Sequence, residues 1–281
     1  MRERSLVAFT LLTQAAVGAT WTLLAVQAWP GGRGPDASGA GAVLLVASLA
    51  ALAGLAASFL HLGRPSNAWR ALRNLRSSWL SREIFFASAF AASLSAAGLL
   101  SLLKGTNESW TGFAEGLAST LGIALLWSMS MAYRLRTVAA WNGGTTSASF
   151  FASALGLGTL SVVALLAVPG GPSGLLDGSR RMLVAAALLF HLVGVAATLL
   201  WLRRLSSGGR DERASLRRVA FEQRRLLVAR FALSGLVLVA GLAVLAGAPP
   251  AWPLAVAVLL AFGAEAAGRS AFYEARVRTG L

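Results

Sequence analysis

Long apolar runs, separated by short polar segments, make up most of this protein. A helix of about 20 apolar residues is long enough to cross a bilayer. Eight such runs occur, at about 6–28, 39–61, 84–103, 114–133, 147–168, 182–202, 226–247 and 252–272. The pattern predicts an all-α, polytopic integral membrane bundle of eight transmembrane helices, forming a single membrane domain over residues 1–281.

The composition agrees with a membrane location. Hydrophobic residues make up 56% of the sequence and charged residues 13%, whereas soluble domains average about 25% charged residues. The first run is too long for the core of a signal peptide, so we expect a retained helix. No cysteine occurs in the sequence, which excludes an iron–sulfur cluster held by its own thiolates, c-type haem attachment, thiol catalysis and disulfides.

The basic residues fall mostly on one side of the predicted bundle. Twenty of them lie at the N-terminus, in the second, fourth and sixth connections and at the C-terminal end, and four lie on the opposite side. Lys and Arg favour cytoplasmic loops, so both termini are predicted on the cytoplasmic side. The net charge of +14 then reflects membrane topology and does not indicate a nucleic-acid partner.

The sixth connection, residues 203–227, reads "RRLSSGGRDERASLRRVAFEQRRLL". Its apolar positions follow a rough helical spacing, which predicts a surface helix that runs into the seventh span. Two interpretations stay open for its many arginines. They form a face that is solvated or binds lipid phosphates, or they form a docking surface for a soluble subunit.

The second connection concentrates polar chemistry between two apolar spans. His61 closes the second span, and Glu83 opens the third, two residues after Ser81, which we expect to be the N-cap. Spans joined by one connection meet the same membrane face, so His61 and Glu83 are predicted to lie at similar depth. Arg64 and Arg82 stand beside them, which makes a compact site with two titratable groups and two fixed cations.

Such a site suits a lipid-soluble molecule with a polar head. A quinol needs hydrogen-bond partners for its hydroxyls and acceptors for its two protons, and His61 and Glu83 would serve as general base and orienting group. Trp69 and Trp79 add flat apolar faces. Simpler interpretations remain open: His61 and Glu83 each stabilise a helix dipole, and the tryptophans belong to the interfacial belt.

Five other ionisable residues lie within predicted spans, where charge is costly. Glu115 starts the fourth span near the opposite face and is expected to be interfacial. Glu265 and Arg269 are four apart and can pair along one helix face, and we expect Arg230 to extend toward the cytoplasmic face. His191 falls near the middle of its span, at a depth that does not match His61. This mismatch favours a buried histidine bonded to a neighbouring helix over a ligand of a shared haem.

The second connection, "HLGRPSNAWRALRNLRSSWLSREI", resembles the DmsC family of dimethyl sulfoxide reductase membrane-anchor subunits. Three less specific motifs are similar to segments of the same family. They are "YRLRTVAAWNG" at 133–143, "RRLLVARFAL" at 224–233 and "EAAGRSAFYEARVRTGL" at 265–281. The resemblance extends over nearly the whole sequence, with eight spans in order.

The resemblance implies a specific function. Members of this family anchor a molybdopterin catalytic subunit and a four-cluster, ferredoxin-like iron–sulfur subunit to a bacterial or archaeal cytoplasmic (inner) membrane. They bind menaquinol and pass its electrons to the iron–sulfur partner in anaerobic respiration. The anchor itself is expected to carry no haem, iron–sulfur cluster or metal. The family's quinol-binding His and Glu match His61 and Glu83, and Arg64 joins them by position.

Two other functions compete with a quinol-oxidising anchor subunit. A secondary transporter or proton-translocating subunit would show internal repeats and interrupted helices, and no convincing self-similarity relates residues 1–140 to 141–281. An accessory protein without a redox role would not need His61 and Glu83 together. The terminal substrate of the catalytic subunit, the membrane face that carries the partners and the quinone type are not encoded in these motifs.

Overall fold

The long apolar runs fold as helices, with 86% of the structure helical. The computed structural model describes residues 2–29, 35–59, 73–103, 108–168 and 177–277. The helices of these segments are α1 (Arg2–Gln27), α2 (Ala37–Phe59), α3 (Trp79–Leu100), α4 (Glu108–Ala132), α5 (Gly144–Leu166), α6 (Asp177–Ser207), α7 (Arg210–Arg217), α8 (Arg224–Leu245) and α9 (Ala251–Glu274). All but α7 are long and apolar enough to cross a membrane, which confirms the predicted eight-span helical architecture.

Large apolar side chains on the outside of the bundle indicate where lipid lies. Leu259 of α9, Leu49 of α2 and Val239 of α8 are 74%, 66% and 65% exposed. An exposed apolar surface of this extent is unfavourable in water but suits a hydrocarbon solvent. The protein is a multi-pass membrane protein.

The eight spanning helices form two four-helix units with the same connectivity. In the first unit, α1, α2, α3 and α4 each pack against the next helix, and α4 returns to α1. In the second unit, α5, α6, α8 and α9 repeat this order, with α9 returning to α5. The cross-contacts repeat as well, since α1 packs against α9 and α5 packs against α4. The two units therefore share one order of helix contacts, which the sequence did not reveal.

The two units meet where α1 crosses α5 at small residues. A Cβ added to Gly18 would overlap the carbonyl oxygen of Ala154, and one added to Gly158 would overlap the backbone of Gly18. Close backbone approach at small residues is a common way for helices to associate in membranes. One turn further along α1, the Thr22 hydroxyl lies 2.9 Å from the Thr159 hydroxyl, so the crossing combines van der Waals packing with a hydrogen bond.

Two helix starts are capped by polar side chains. The Asp36 carboxylate precedes α2 and accepts a 2.7 Å hydrogen bond from the Gly39 amide. This bond, together with one from Ser38, lowers the pKa of Asp36. Ahead of α3, the Ser78 hydroxyl accepts from the Ser81 amide at 3.2 Å. The expectation that Ser81 is the N-cap was wrong: the helix begins earlier, and Ser81 is buried within its first turn.

The connection between α4 and α5, residues 133–143, folds back onto the end of the second unit. Arg204 of α6 donates hydrogen bonds to the carbonyls of Ala139, Ala140 and Asn142 at 3.1, 2.7 and 2.6 Å. The indole nitrogen of Trp141 donates to the Phe272 carbonyl at 2.7 Å. One arginine of the basic face is therefore committed to holding this connection in place.

The sixth connection contains the predicted surface helix. It comprises α7 and a π-helical segment, Arg218–Glu222, which leads into α8. Val219 is fully buried and anchors this segment, whereas Phe221 is 81% exposed. Arg218 lies 3.6 Å from both Glu222 and Glu274, so it ties the connection to the end of α9.

Candidate functional site

Glu83 is buried near the start of α3, with only 3% of its surface exposed. It lies four residues inside the helix, or about 6 Å along its axis. Its carboxylate is within electrostatic reach of Tyr133, at the end of α4, and of Tyr273, on α9. The side chain therefore faces the interior of the bundle, near the contact between the two units.

Arg82 forms hydrogen bonds with the connection before α3. Its Nε donates to the Leu75 carbonyl at 2.8 Å, and its Nη2 donates to the Arg76 carbonyl at 2.7 Å. The guanidinium also lies over the Trp79 ring, 4.2 Å from the ring centroid. Consecutive helical residues differ by about 100° in direction, which lets Arg82 hold the loop while Glu83 points into the bundle.

Three of the predicted site residues, His61, Arg64 and Trp69, lie outside the described residues. Their distances to Glu83 stay predictions. Only Glu83, Arg82 and Trp79 of the proposed set can be placed.

The packing of α2 against α3 nevertheless indicates where the described end of α2 lies along α3. The Ser48 hydroxyl donates to the Leu94 carbonyl at 2.9 Å, and a Cβ on Gly41 would lie 3.1 Å from the Ser101 hydroxyl. Both contacts fit one antiparallel register. Continued along the two helices, that register brings Phe59, the last described residue of α2, to the level of Glu83.

A second polar cluster lies in the second unit, and it differs from the expected pairing. Glu265 of α9 forms a direct ion pair with Arg230 of α8, and its other oxygen accepts a 2.7 Å hydrogen bond from the Ser153 hydroxyl. The prediction that Glu265 pairs with Arg269 was therefore wrong. Arg230 does not extend to the surface either, because it is only 2% exposed.

Two glycines leave room for the Arg230 side chain. A Cβ on Gly194 of α6 would lie 3.2 Å from Arg230 Nη2, and one on Gly268 of α9 would lie 3.1 Å from its Cδ. These contacts are tighter than ordinary van der Waals packing. Small residues on α6 and α9 therefore let the long arginine extend across the unit and reach Glu265.

Arg269 is satisfied by neutral groups. Its Nη2 lies 3.1 Å from the Gln14 side-chain oxygen and 3.3 Å from the Ser153 hydroxyl. Its guanidinium also lies over the Phe150 ring, 3.7 Å from the centroid. A guanidinium over an aromatic face is an attractive cation–π contact. Arg269 thus links α9 to α1 and α5 without a carboxylate partner of its own.

His191 of α6 is buried beside this cluster, as the sequence suggested. Its Nδ1 lies 3.9 Å from a Glu265 oxygen, and its side chain is 5% exposed. Its Nε2 has no hydrogen-bond partner within the described residues. No group of three His, Cys, Asp or Glu side chains suited to a metal ion occurs in the described segments.

Aromatic rings pack together next to the second cluster, since Phe150 lies under the Arg269 guanidinium. The Tyr133 ring lies 5.3 Å from that of Tyr273 and 5.7 Å from that of Phe150. Phe272 packs against the same group, with its centroid 5.7 Å from that of Trp141. These rings therefore form one packed aromatic cluster that extends from the end of α4 to α9.

Gln14 and Ser153 were not predicted from the sequence. Gln14 is fully buried in α1 and also donates to the Met129 sulfur at 3.3 Å. An amide within an apolar span was the available signal, since such groups need a partner in lipid. Ser153 gave no such signal, because serine is common in membrane helices and can bond its own backbone.

Comparison with known proteins identifies the family. The family model for the DMSO reductase anchor subunit (DmsC) matches residues 1–275. No solved structure matches the sequence.

Three curated relatives are similar over part or most of the sequence. The C subunit of the sulfite dehydrogenase from Allochromatium vinosum is 33% identical over 57% of this protein and 51% of its own length. The C component of the anaerobic dimethyl sulfoxide reductase from Haemophilus influenzae is 28% identical over 59% of each protein. The protein of the same name from Escherichia coli is 28% identical over 81% of this protein and 79% of its own length. The first two matches thus span little more than half of each relative.

Proposed function

The protein belongs to the family of DMSO reductase anchor subunits (DmsC), and we propose that it binds and oxidises menaquinol at the connection between α2 and α3. It passes the electrons to an iron–sulfur subunit, which feeds a molybdopterin catalytic subunit. The observation that carries the proposal is Glu83, a carboxylate with 3% exposure near the start of a membrane helix. A buried acid in a span is a functional candidate by default.

The proposed chemistry needs two proton acceptors and one electron acceptor. Oxidation of a quinol to a quinone releases two electrons and two protons. Glu83 takes or orients one hydroxyl proton, and His61 serves the other hydroxyl. The register of α2 against α3 supports this pairing, because it brings the end of α2 level with Glu83. The electrons leave to the nearest cluster of the partner.

The other predicted site residues take different parts in the proposal. Arg64 and Trp69 remain candidates for contact with the head group. Arg82 positions the connection, since two of its nitrogens already donate to backbone carbonyls. Trp79 supports Arg82 through its ring. The proposed site therefore depends most on His61 and Glu83.

The partners are proposed to dock on the face that carries the connections between α2 and α3, α4 and α5, and α6 and α8. Electron transfer requires the nearest cluster to lie close to the quinol, and this face contains the proposed quinol site. Arg210, Arg213 and Arg217 of α7 surround a hollow on the same face. By the distribution of basic residues it is the cytoplasmic face of an inner membrane.

The test uses the purified complex with its partners. A menaquinol analogue is mixed with the oxidised complex, and reduction of the partner's clusters is followed by spectroscopy. We expect His61→Ala and Glu83→Gln each to slow this reduction strongly. Unchanged electron transfer in both variants would contradict the site, and purification without any iron–sulfur protein would contradict the function.

A proton-translocating subunit is the second candidate, and two observations favour it. The repeated connectivity of the two units is common in transporters, and the second unit buries charged groups within the membrane. Interrupted spanning helices, the other common feature, do not occur in the described segments. An experiment in liposomes distinguishes the two functions. Only a translocating complex changes the luminal pH by more than the protons released by quinol oxidation can explain.

A further inference from the structure

The second unit contains a small crevice whose polar lining is not used by the proposed quinol chemistry. It has a cavity volume of about 40 Å³. Roughly 10–15 Å³ of such space is enough for one water molecule, so the crevice fits one or two waters or a small monatomic ion. A quinone ring does not fit in this volume.

The crevice has an excess of positive charge. Arg230, Arg269 and Glu265 all line it, and each is no more than 6% exposed. Among the described residues, Glu265 is the only acidic side chain in the lining. A buried charge without compensation is costly, and this cost favours a bound anion.

Two buried donors at the crevice have no partner. The Nε of Arg230 and the hydroxyl of Thr145 make no hydrogen bond within the segments that the structure describes. Thr145 also lies in the first turn of α5, where the helix dipole favours negative charge. Unsatisfied buried donors are rare in native structures and indicate a bound water or ion.

The other hydroxyls of the lining are already engaged. Thr198 donates to the Gly194 carbonyl at 3.0 Å, Thr146 donates to the Trp141 carbonyl at 2.8 Å, and Ser149 donates to the Thr146 carbonyl at 3.1 Å. Both oxygens of Glu265 are occupied by Arg230 and Ser153. In the described lining, Arg230 Nε and the Thr145 hydroxyl are therefore the buried donors without a partner, and both carboxylate oxygens of Glu265 are already engaged, which disfavours a cation.

We propose that this crevice is a binding site for a small monovalent anion of the halide class, held by Arg230 Nε and the Thr145 hydroxyl. The anion neutralises the excess charge of the Arg230, Arg269 and Glu265 cluster and so stabilises the packing of α5, α6, α8 and α9. The site is selective by size, since an organic anion such as gluconate exceeds the available space.

The test measures thermal unfolding of the full-length protein in detergent while chloride replaces gluconate at constant ionic strength. We expect a saturable rise in the unfolding midpoint with chloride, and bromide should act likewise. Thr145→Val preserves shape but removes the free donor. A hydrogen bond to a charged group contributes roughly 1.5–3 kcal/mol, so the half-saturating chloride concentration should rise about tenfold or more.

Thr198→Val is the matched control. It lies in the same crevice, but its hydroxyl hydrogen is already donated to Gly194, so the half-saturating concentration should change less than about twofold. Anomalous scattering from bromide-exchanged crystals should show bromide between Arg230 and Thr145. The proposal is overturned if stability is equal in chloride and gluconate, if Thr145→Val binds as the wild type does, or if bromide lies elsewhere. None of these outcomes bears on the quinol site.

Discussion

The two four-helix units share one connectivity but bury different chemistry. In the first unit, Glu83 is buried near the start of α3 without an ion-pair partner among the described residues. In the second unit, Glu265 is held by Arg230 and Ser153. A carboxylate with both oxygens occupied is a structural group, whereas one that lacks fixed partners is available to a ligand. This difference favours the first unit as the place of quinol chemistry.

The largest expected effect on stability lies in the second unit. Arg230→Met leaves Glu265 as a buried charge without its partner, and breaking a buried pair in this way costs about 3–5 kcal/mol. The double variant Arg230→Met with Glu265→Gln should recover much of this loss, because the Glu265 charge is then removed together with its partner. Unfolding free energies of the wild type and the two variants provide the measurement. A double variant as unstable as the single one would refute the pairing.

The largest functional effect should distinguish two buried acids of the first unit. Glu83 and Glu115 are both 3% exposed, but Glu115 lies toward the opposite end of the bundle, near the start of α4. Glu83→Gln should slow cluster reduction by a menaquinol analogue about 10²-fold or more, the usual effect of losing a general base. Glu115→Gln should keep the wild-type rate. Equal losses of rate in the two variants would show that the rate depends on the burial of a carboxylate and not on its position.

A smaller loss of stability should follow from widening the contact between the two units. Gly158→Leu inserts a side chain where α5 touches the backbone of Gly18. Overpacking at such a site costs about 1–3 kcal/mol. Gly116→Leu is the control, since nothing lies within 4 Å of a Cβ at that helical position. Unfolding in detergent should distinguish the two variants, and equal stabilities would contradict the close crossing.

The most local effect should come from the connection between α4 and α5. Arg204→Gln removes hydrogen bonds to three backbone carbonyls, and we expect a loss of about 1–3 kcal/mol. Its neighbour Arg203 is exposed, so Arg203→Gln should leave the stability unchanged. Hydrogen exchange of residues 133–143 provides a local readout, with faster exchange expected only in Arg204→Gln. The same exchange rates in both variants would rule out this role.

The sequence predicted the helices well because bilayer thickness imposes a length that apolar runs reveal directly. The start of α3 was placed too late, since Trp79 and the cap Ser78 precede the apolar run. The shared order of helix contacts in the two units stayed hidden because helix packing in lipid depends on small residues and shape, which different sequences can supply.

The candidate residues were easier to find than their partners. Glu83 and Arg230 were conspicuous as ionisable groups in apolar spans, so both were singled out. The pairing of Glu265 with Arg230 was missed because spacing along α9 favoured Arg269, while the true partner lies on α8. Contacts between distant helices depend on tertiary packing, and periodicity along one helix carries no information about it.

The most direct test of the comparison is to locate the quinol. A structure of the complex with a tightly bound, non-oxidisable menaquinol analogue would show which unit holds the head group. We expect the head group within hydrogen-bond distance of Glu83, at the connection between α2 and α3. A head group bound in the second unit against Arg230 and Arg269, with Glu83 left without contact, would contradict it.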